Sequence, residues 1–248
     1  MYQFAELVNH GLFFRFDKKW VENMNWALLP KSSKGILPVI ACHCNESGES
    51  FPGEQTIAAL SGWTDKKVRE GINGLVGFPG FEVAYYVTKR GRRAKRYKMT
   101  FPPEHEKGRS FFFHKIILDG GNWRELRPVS QALYPVMRYF GYFDQDIYFG
   151  QEDSEENSFG PDEFDLMFKS RKWDLCEAEV STMADYAGIK RPSVYTALTD
   201  LEKNFLIKDA GTNDEGARWW RVYLTPPSYW NRAYLNKKII RQAYKNDV

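Results

Sequence analysis

The sequence predicts a mainly α-helical protein with small β-sheets, an α+β fold in which one structural unit occurs twice. Three observations lead to this prediction. A segment beginning at Thr56 has the residue pattern of two short helices joined by a tight turn. Two strand-like runs joined by a basic turn follow it directly. Both features, together with the segment that precedes them, recur in the second half of the chain.

The composition is that of an ordinary globular protein. The chain has 248 residues, of which 43% are hydrophobic and 27% charged, so it can bury a core. Because the net charge is only +3 at pH 7, any binding of nucleic acid depends on where the cations lie. Three cysteines, no long apolar run and no signal peptide indicate a cytoplasmic protein that does not enter a membrane.

The internal repeat has two blocks. Residues 14–40 align without a gap with residues 111–137, including Trp26 with Trp123 and Pro38 with Pro135. The second block repeats at an offset about thirty residues larger, and it aligns Ala58, Gly62, Val68, Ile72 and Leu75 with Ala184, Gly188, Val194, Leu198 and Leu201. The sequence therefore predicts two domains, residues 1–103 and 104–248, related by internal duplication.

The first unit opens with an aromatic and charged run at residues 13–20, which we interpret as a strand that returns to the sheet of the hairpin at residues 81–101. Its first helix is predicted at residues 30–44, with Pro38 inside it. The next helix breaks at Gly62, and Thr64 offers a side-chain oxygen to cap the helix after it.

The capped helix has two different faces. Val68, Ile72 and Leu75 have the spacing of a buried stripe, while cations occupy another side. Strands are predicted at residues 81–88 and 96–101, joined by a basic turn at residues 89–95 that contains a glycine. Two such helices followed by a hairpin are typical of a winged helix.

The second unit repeats this order, with predicted helices at residues 128–143, 176–188 and 191–204 and a hairpin tip at 210–216. It adds an acidic insert at residues 144–165, which holds nine carboxylates and no Lys or Arg. The insert is interpreted as a solvated excursion, a protein-contact arm or a flap that keeps DNA away. A basic helix is predicted at residues 229–246.

Helix-turn-helix proteins place the start of the second helix in the major groove of DNA and use the wing on phosphates or an adjacent groove. In the first unit, the predicted DNA contacts are Thr64, Lys66, Lys67 and Arg69 on the helix and Lys89, Arg90, Arg92, Arg93, Lys95 and Arg96 on the wing. No acidic residue occurs between Val83 and Lys98, so these wing cations are expected to be unopposed.

In the second unit, the predicted contacts are Lys190, Arg191, Ser193, Tyr195, Thr196 and Arg218. Its wing tip carries Asp214 and Glu215, which would repel phosphate. Either this wing faces away from DNA, or Arg218 and Arg221 on its return strand make the contact. A unit that serves dimerisation or partner binding is a third interpretation.

The sequence offers little for catalysis. Cys42 and Cys44, one residue apart on a helix, would point to different faces, and too few other ligands remain for zinc. No phosphate-binding Gly-rich loop and no catalytic set is recognisable. We therefore expect a protein that is not an enzyme and that uses no cofactor and no metal.

Residues 26–76, with Phe-Pro-Gly-Glu-Gln-Thr-Ile-Ala-Ala-Leu at positions 51–60, resemble the helix-turn-helix domains of replication initiators from plasmids and phages. Residues 123–207 resemble the same type of domain. The resemblance implies tandem winged helices that bind repeated or palindromic origin sequences and recruit replication machinery. The acidic insert, and the lack of a recognisable primase or helicase-loading domain, depart from that pattern.

The sequence thus predicts a sequence-specific double-stranded DNA-binding protein, nucleoid-associated in the cytoplasm, that initiates replication of a plasmid, phage or other mobile element. Its expected partners are origin or operator repeats in DNA, host replication proteins and a second copy in a homodimer. One alternative is a transcriptional regulator of the same architecture. The other is a protein-interaction module that uses the acidic insert.

Overall fold

The structure, a computed structural model, describes residues 13–101, 110–141, 175–212, 216 and 218–223. Within these ranges it is a mixed α and β protein of ten helices and eight strands, and the strands form three small antiparallel sheets. The predicted α+β class is confirmed at this level.

The first half runs from β1 to β4. Its elements are β1 (Phe13–Asp17), α1 (Lys18–Glu22), α2 (Asn25–Leu28), α3 (Lys31–Cys42), β2 (Glu49–Ser50), α4 (Glu54–Ser61), α5 (Asp65–Gly74), β3 (Phe81–Val87) and β4 (Arg93–Met99). Helix α3 contains Pro38 as predicted and is buried along almost all of its length.

The second half follows the same order. Its elements are β5 (Ser110–His114), α6 (Ile116–Asp119), α7 (Asn122–Glu125), α8 (Pro128–Phe140), β6 (Leu175–Cys176), α9 (Val180–Ala187), α10 (Arg191–Lys203), β7 (Ile207–Thr212) and β8 (Arg218–Val222). The predicted acidic insert, the residue-103 boundary, the C-terminal helix, and Asp214 and Glu215 lie outside the described residues.

The turn between α4 and α5 forms as the sequence predicts. Gly62 ends α4 with φ +75°, a left-handed conformation that glycine adopts without steric cost. The Thr64 hydroxyl oxygen caps α5 by accepting the backbone N–H of Lys67 at 3.4 Å. Val68, Ile72 and Leu75 are buried, so the predicted stripe faces the core.

Helix α5 lies close against α3 because glycines line the contact. A Cβ on Gly71 would come within 2.7 Å of Ile36 Cδ1 and 3.0 Å of the Ser32 backbone. The Ser33 hydroxyl donates to the Gly71 carbonyl at 2.8 Å across the same contact. The exposed side of α5 is thereby held in one orientation on the protein.

Each half has a three-stranded sheet built on a hairpin. The strand orders are β2-β4-β3 and β6-β8-β7, with all pairs antiparallel. The second strand of the first hairpin starts at Arg93 rather than at the predicted residue 96, because Val87 still pairs with Arg93. Arg93, Lys95 and Arg96 are therefore strand residues, and the turn is shorter than predicted.

The prediction that residues 13–20 return to a hairpin sheet is wrong. Strand β1 pairs with β5 in a separate two-stranded antiparallel sheet, from Phe13 opposite His114 to Asp17 opposite Ser110. Phe16 packs against Phe111 and Phe113 at ring-centroid distances of 5.0 and 5.8 Å. The first strand of one half therefore joins the first strand of the other.

The two halves share one hydrophobic core. Trp26 and Trp123 are fully buried in it, and each donates its indole N–H to a carbonyl of the other half. The acceptors are Ala132 for Trp26 and Gly35 for Trp123, both at 2.8 Å. Because burying an indole N–H without a partner is costly, these bonds fix how the halves pack.

Candidate nucleic-acid interface

The start of α5 presents its predicted residues to solvent. Thr64, Lys66, Lys67 and Arg69 are all exposed. Lys67 forms an ion pair with Glu70 at 2.5 Å on the same helix, and this contact lowers the pKa of the Glu70 carboxyl. Lys66 has no carboxylate partner in the described part of the chain, so its ammonium group is available to a ligand.

The tip of the β3–β4 hairpin is a tight turn that exposes three cations. Thr88 closes it by donating its backbone N–H to Arg92 and accepting that of Gly91, both at 2.8 Å. Gly91 has φ +73°, and a Cβ added there would have no atom within 4 Å, so the turn is open to solvent. Lys89, Arg90 and Arg92 are exposed around it.

The base of the hairpin carries cations that are paired, which corrects the prediction of an unopposed wing. Lys95 Nζ lies 2.7 Å from a carboxylate oxygen of Glu54, and Arg96 lies 3.2 Å from Glu49. Both acids come from outside residues 83–98, so no local pattern indicates them. Arg93 instead lies over the ring of Tyr85 at 4.0 Å.

Glu54 joins three elements at one point. It is the first residue of α4, it binds Lys95 of β4, and its other oxygen lies 4.0 Å from Arg69 Nε on α5. The hairpin and the exposed face of α5 therefore lie side by side. We call Lys66, Arg69, Lys89, Arg90 and Arg92 the basic surface.

Aromatic side chains lie on the same hairpin, and the sequence analysis did not single them out. Tyr85 is 55% exposed, Tyr86 is 37% exposed and packs edge-on against Phe51 at 5.5 Å, and Val87 is 71% exposed. Three consecutive apolar residues at the end of a strand were the available signal. An edge strand with these residues is a contact surface.

In the second half, Lys190 immediately precedes α10 and is exposed, as are Arg191, Tyr195 and Thr196 on the helix, while Ser193 is half-buried. Ser193 and Lys190 line an open cleft of about 410 Å³, and Lys31 from the start of α3 lines it from the first half. Sequence analysis missed Lys31 because no local pattern links residue 31 to residue 190. Asp185 also lines the cleft, so Lys31 and Lys190 lie there beside a carboxylate.

The second hairpin is less basic than the first. Arg218, the predicted contact on its return strand, forms an ion pair with Asp209 at 3.3 Å and lies 5.6 Å from the Trp220 ring centroid. A register shift between Asp209 and Gly211 interrupts the ladder. The first hairpin therefore carries the stronger positive surface in the described part of the chain.

Burial keeps the three thiols of the described residues in the protonated form. Burial raises the pKa of Cys42 to about 12, that of Cys44 to about 11 and that of Cys176 to about 12, so all three remain protonated at neutral pH. Within the described ranges, no group of three His, Cys, Asp or Glu side chains is arranged to hold a metal ion. No helix there is both long and apolar enough to cross a membrane.

Comparisons of the chain with protein-family models, curated proteins and solved structures gave no match.

Proposed function

We propose that the chain consists of two tandem winged-helix domains, related by internal duplication, that bind double-stranded DNA sequence-specifically. The observation that carries the proposal is the convergence of α5 and the β3–β4 hairpin on Glu54. A helix that enters the major groove and a hairpin that contacts the flanking backbone need this side-by-side arrangement.

The basic surface supports the same conclusion. Lys66, Lys89, Arg90 and Arg92 are exposed cations without a carboxylate partner among the described residues. Phosphate groups that approach these cations relieve the repulsion between them. The release of counterions from DNA also favours this binding. Lys95 and Arg96 hold the hairpin in place through their ion pairs and contribute less to the DNA contact.

The resemblance to replication initiators supports a role in starting replication of a plasmid, phage or other mobile element. In that role, the chain binds origin repeats in the cytoplasm at the nucleoid, recruits host replication proteins, and carries out no catalysis. A transcriptional regulator would use the same surface on operator repeats. A binding site that overlaps a promoter, with no effect on maintenance of the replicon, favours the regulator.

One observation favours a second candidate, a protein-interaction module. Phe51, Tyr85, Tyr86 and Val87 form an exposed apolar group on the first hairpin. Apolar groups of this kind mark contacts with other proteins. A chain that shifts no duplex at low salt, yet retains a partner through these residues, favours this candidate over DNA binding.

The test is a double substitution at the hairpin tip, Arg90→Ala with Arg92→Ala. Each phosphate contact contributes about 0.9 to the slope of log K against log salt, so losing two contacts flattens the slope by about 2. We expect affinity to fall for all duplexes alike, measured by fluorescence anisotropy from 50 to 300 mM salt (roughly the range in which counterion release is measured).

The matched control is Lys19→Ala with Lys203→Ala. Both lysines are exposed and lie on α1 and at the last residue of α10, away from either hairpin, and the control removes the same net charge. An equal loss of affinity in the control and the test variant would assign the effect to net charge and contradict the proposed interface. Lys66→Ala adds a second readout, because a contact in the groove also relaxes sequence preference.

A further inference from the structure

We infer that the DNA target consists of two half-sites in inverted orientation with different base sequences, both bound by one chain. This inference rests on the proposed function and names the class of DNA that the interface takes. Its basis is a set of contacts between the two halves that stay the same when the halves are exchanged.

The first such contact is the β1–β5 sheet. Arg15 lies opposite Phe112, which is its own counterpart in the repeat alignment. On either side, Phe14 pairs with Phe113 and Phe16 pairs with Phe111, and exchanging the halves converts one pair into the other. An antiparallel pair centred on equivalent residues has a local two-fold axis between them.

The second is the exchange of indole hydrogen bonds. Trp26 donates to Ala132, and its counterpart Trp123 donates to Gly35, with both distances 2.8 Å. Gly35 and Ala132 are themselves counterparts in the alignment. The same two-fold relation therefore extends from the sheet to α2, α3, α7 and α8.

The third contact shows that the two-fold relation also includes the turns before the proposed DNA-binding helices. A Cβ on Gly62, which precedes α5, would collide with the Arg124 carbonyl, and one on Gly188, which precedes α10, would collide with the Ala27 carbonyl. Gln131 donates to the Ser61 carbonyl and Lys34 to the Ala187 carbonyl, both at 2.8 Å. Each turn before a binding helix is thus anchored on the opposite half.

A two-fold axis that exchanges α5 and α10 also exchanges the DNA segments that they bind. On one straight duplex this operation reverses the strand direction, so the two half-sites are inverted. Direct repeats would need a translation between the binding helices, and none of these contacts supplies one.

The two halves of the target nevertheless differ in sequence, because the binding residues differ. Lys66, Lys67 and Arg69 on α5 correspond to Pro192, Ser193 and Tyr195 on α10. Side chains of such different chemistry read different base edges. The target is inverted in geometry without being a palindrome in sequence.

The experiment attaches an iron-EDTA cleavage reagent to equivalent positions of the full chain. Asn73→Cys on α5 and Thr199→Cys on α10 are counterparts, are exposed, and lie outside the predicted contacts. Duplexes selected from a random pool by the unmodified chain serve as the DNA. Reagent-treated wild type measures the background from Cys42, Cys44 and Cys176.

We expect the cleavage profile of Asn73→Cys on one strand to mirror that of Thr199→Cys on the other strand about a common centre. Profiles that repeat along the same strand with a shift would overturn the inference while leaving DNA binding intact. Failure of the pool to yield any enriched duplex would instead overturn the proposed function, and the inference with it. If either variant loses binding, the same cleavage profiles are compared for Val76→Cys and Glu202→Cys, which are also exposed counterparts.

Discussion

Lys34 is a buried lysine, 1% exposed, at the contact between the two halves. Its ammonium group donates to the carbonyls of Ala27 at 2.9 Å and Ala187 at 2.8 Å. Burial first, and the nearby charge of Lys31 second, lower its pKa from 10.5 to about 8. The counterpart in the second half is the neutral Gln131, which forms the same kind of bonds without a charge.

The lowered pKa of Lys34 makes stability depend on pH. Between about pH 8 and 10.5 the unfolded chain holds a proton on Lys34 that the folded chain has released, so the Lys34 contribution to the free energy of unfolding rises with pH across this window. The three thiols with raised pKa values act in the opposite direction above about pH 9, and they do so equally in wild type and in a Lys34 variant. We expect the difference in the free energy of unfolding between wild type and Lys34→Met, measured by urea titration, to grow in favour of wild type by about 3 kcal/mol across this window. Lys66→Met, at an exposed site, is the control, and an unchanged pH profile in Lys34→Met would refute the assignment.

At the scale of single elements, the close contact between α3 and α5 requires glycine at position 71. Gly71→Ala gains helix propensity but places a methyl group against Ile36 and the Ser32 backbone. We expect a net destabilisation of about 1–3 kcal/mol because overpacking exceeds the gain in propensity. Chemical denaturation followed by circular dichroism measures it.

The control for that substitution is Gly53→Ala. Gly53 has an ordinary extended backbone, and no atom lies within 4 Å of the added methyl group. We expect a change below about 0.5 kcal/mol. An equal loss in both variants would mean that crowding against α3 is not the cause.

The two helices on either side of Gly62 were predictable because their signals are local. Gly62, the Thr64 cap and the Val68–Ile72–Leu75 stripe all act within one or two helical turns, and the structure has the helices where these residues indicate. The pairing of β1 was not predictable in this way, since an alternating aromatic run says that a strand forms but not which strand it joins. Glu54 was missed for the same reason, because its partner Lys95 is 41 residues away in sequence.

For the whole molecule, the shared core and the exchanged contacts predict one cooperative unfolding transition. Gln131→Ala removes the donor to Ser61 and Trp123 and the acceptor for the Trp63 indole N–H. Leaving such groups buried costs about 1–3 kcal/mol each, so we expect both halves to lose stability together. Hydrogen exchange of amides in α3 and in α8 measures the two halves separately.

Thr199→Ala is the control, because the exposed Thr199 hydroxyl donates only to Tyr195 within the same helix. We expect exchange rates close to those of wild type in α3 and α8. If Gln131→Ala accelerated exchange in α8 alone, the halves would be independent folding units and the shared core would not couple them.

The pairing of β1 with β5 also has a consequence during synthesis. The ribosome releases the first strand nearly a hundred residues before its neighbour at positions 110–114. The Trp26 indole N–H likewise has no acceptor until Ala132 has been synthesised. Until then the nascent polypeptide exposes an unpaired strand rich in phenylalanine, a state prone to association with other chains. Chaperones that shield emerging aromatic segments would thus raise the yield of this protein most strongly early in translation.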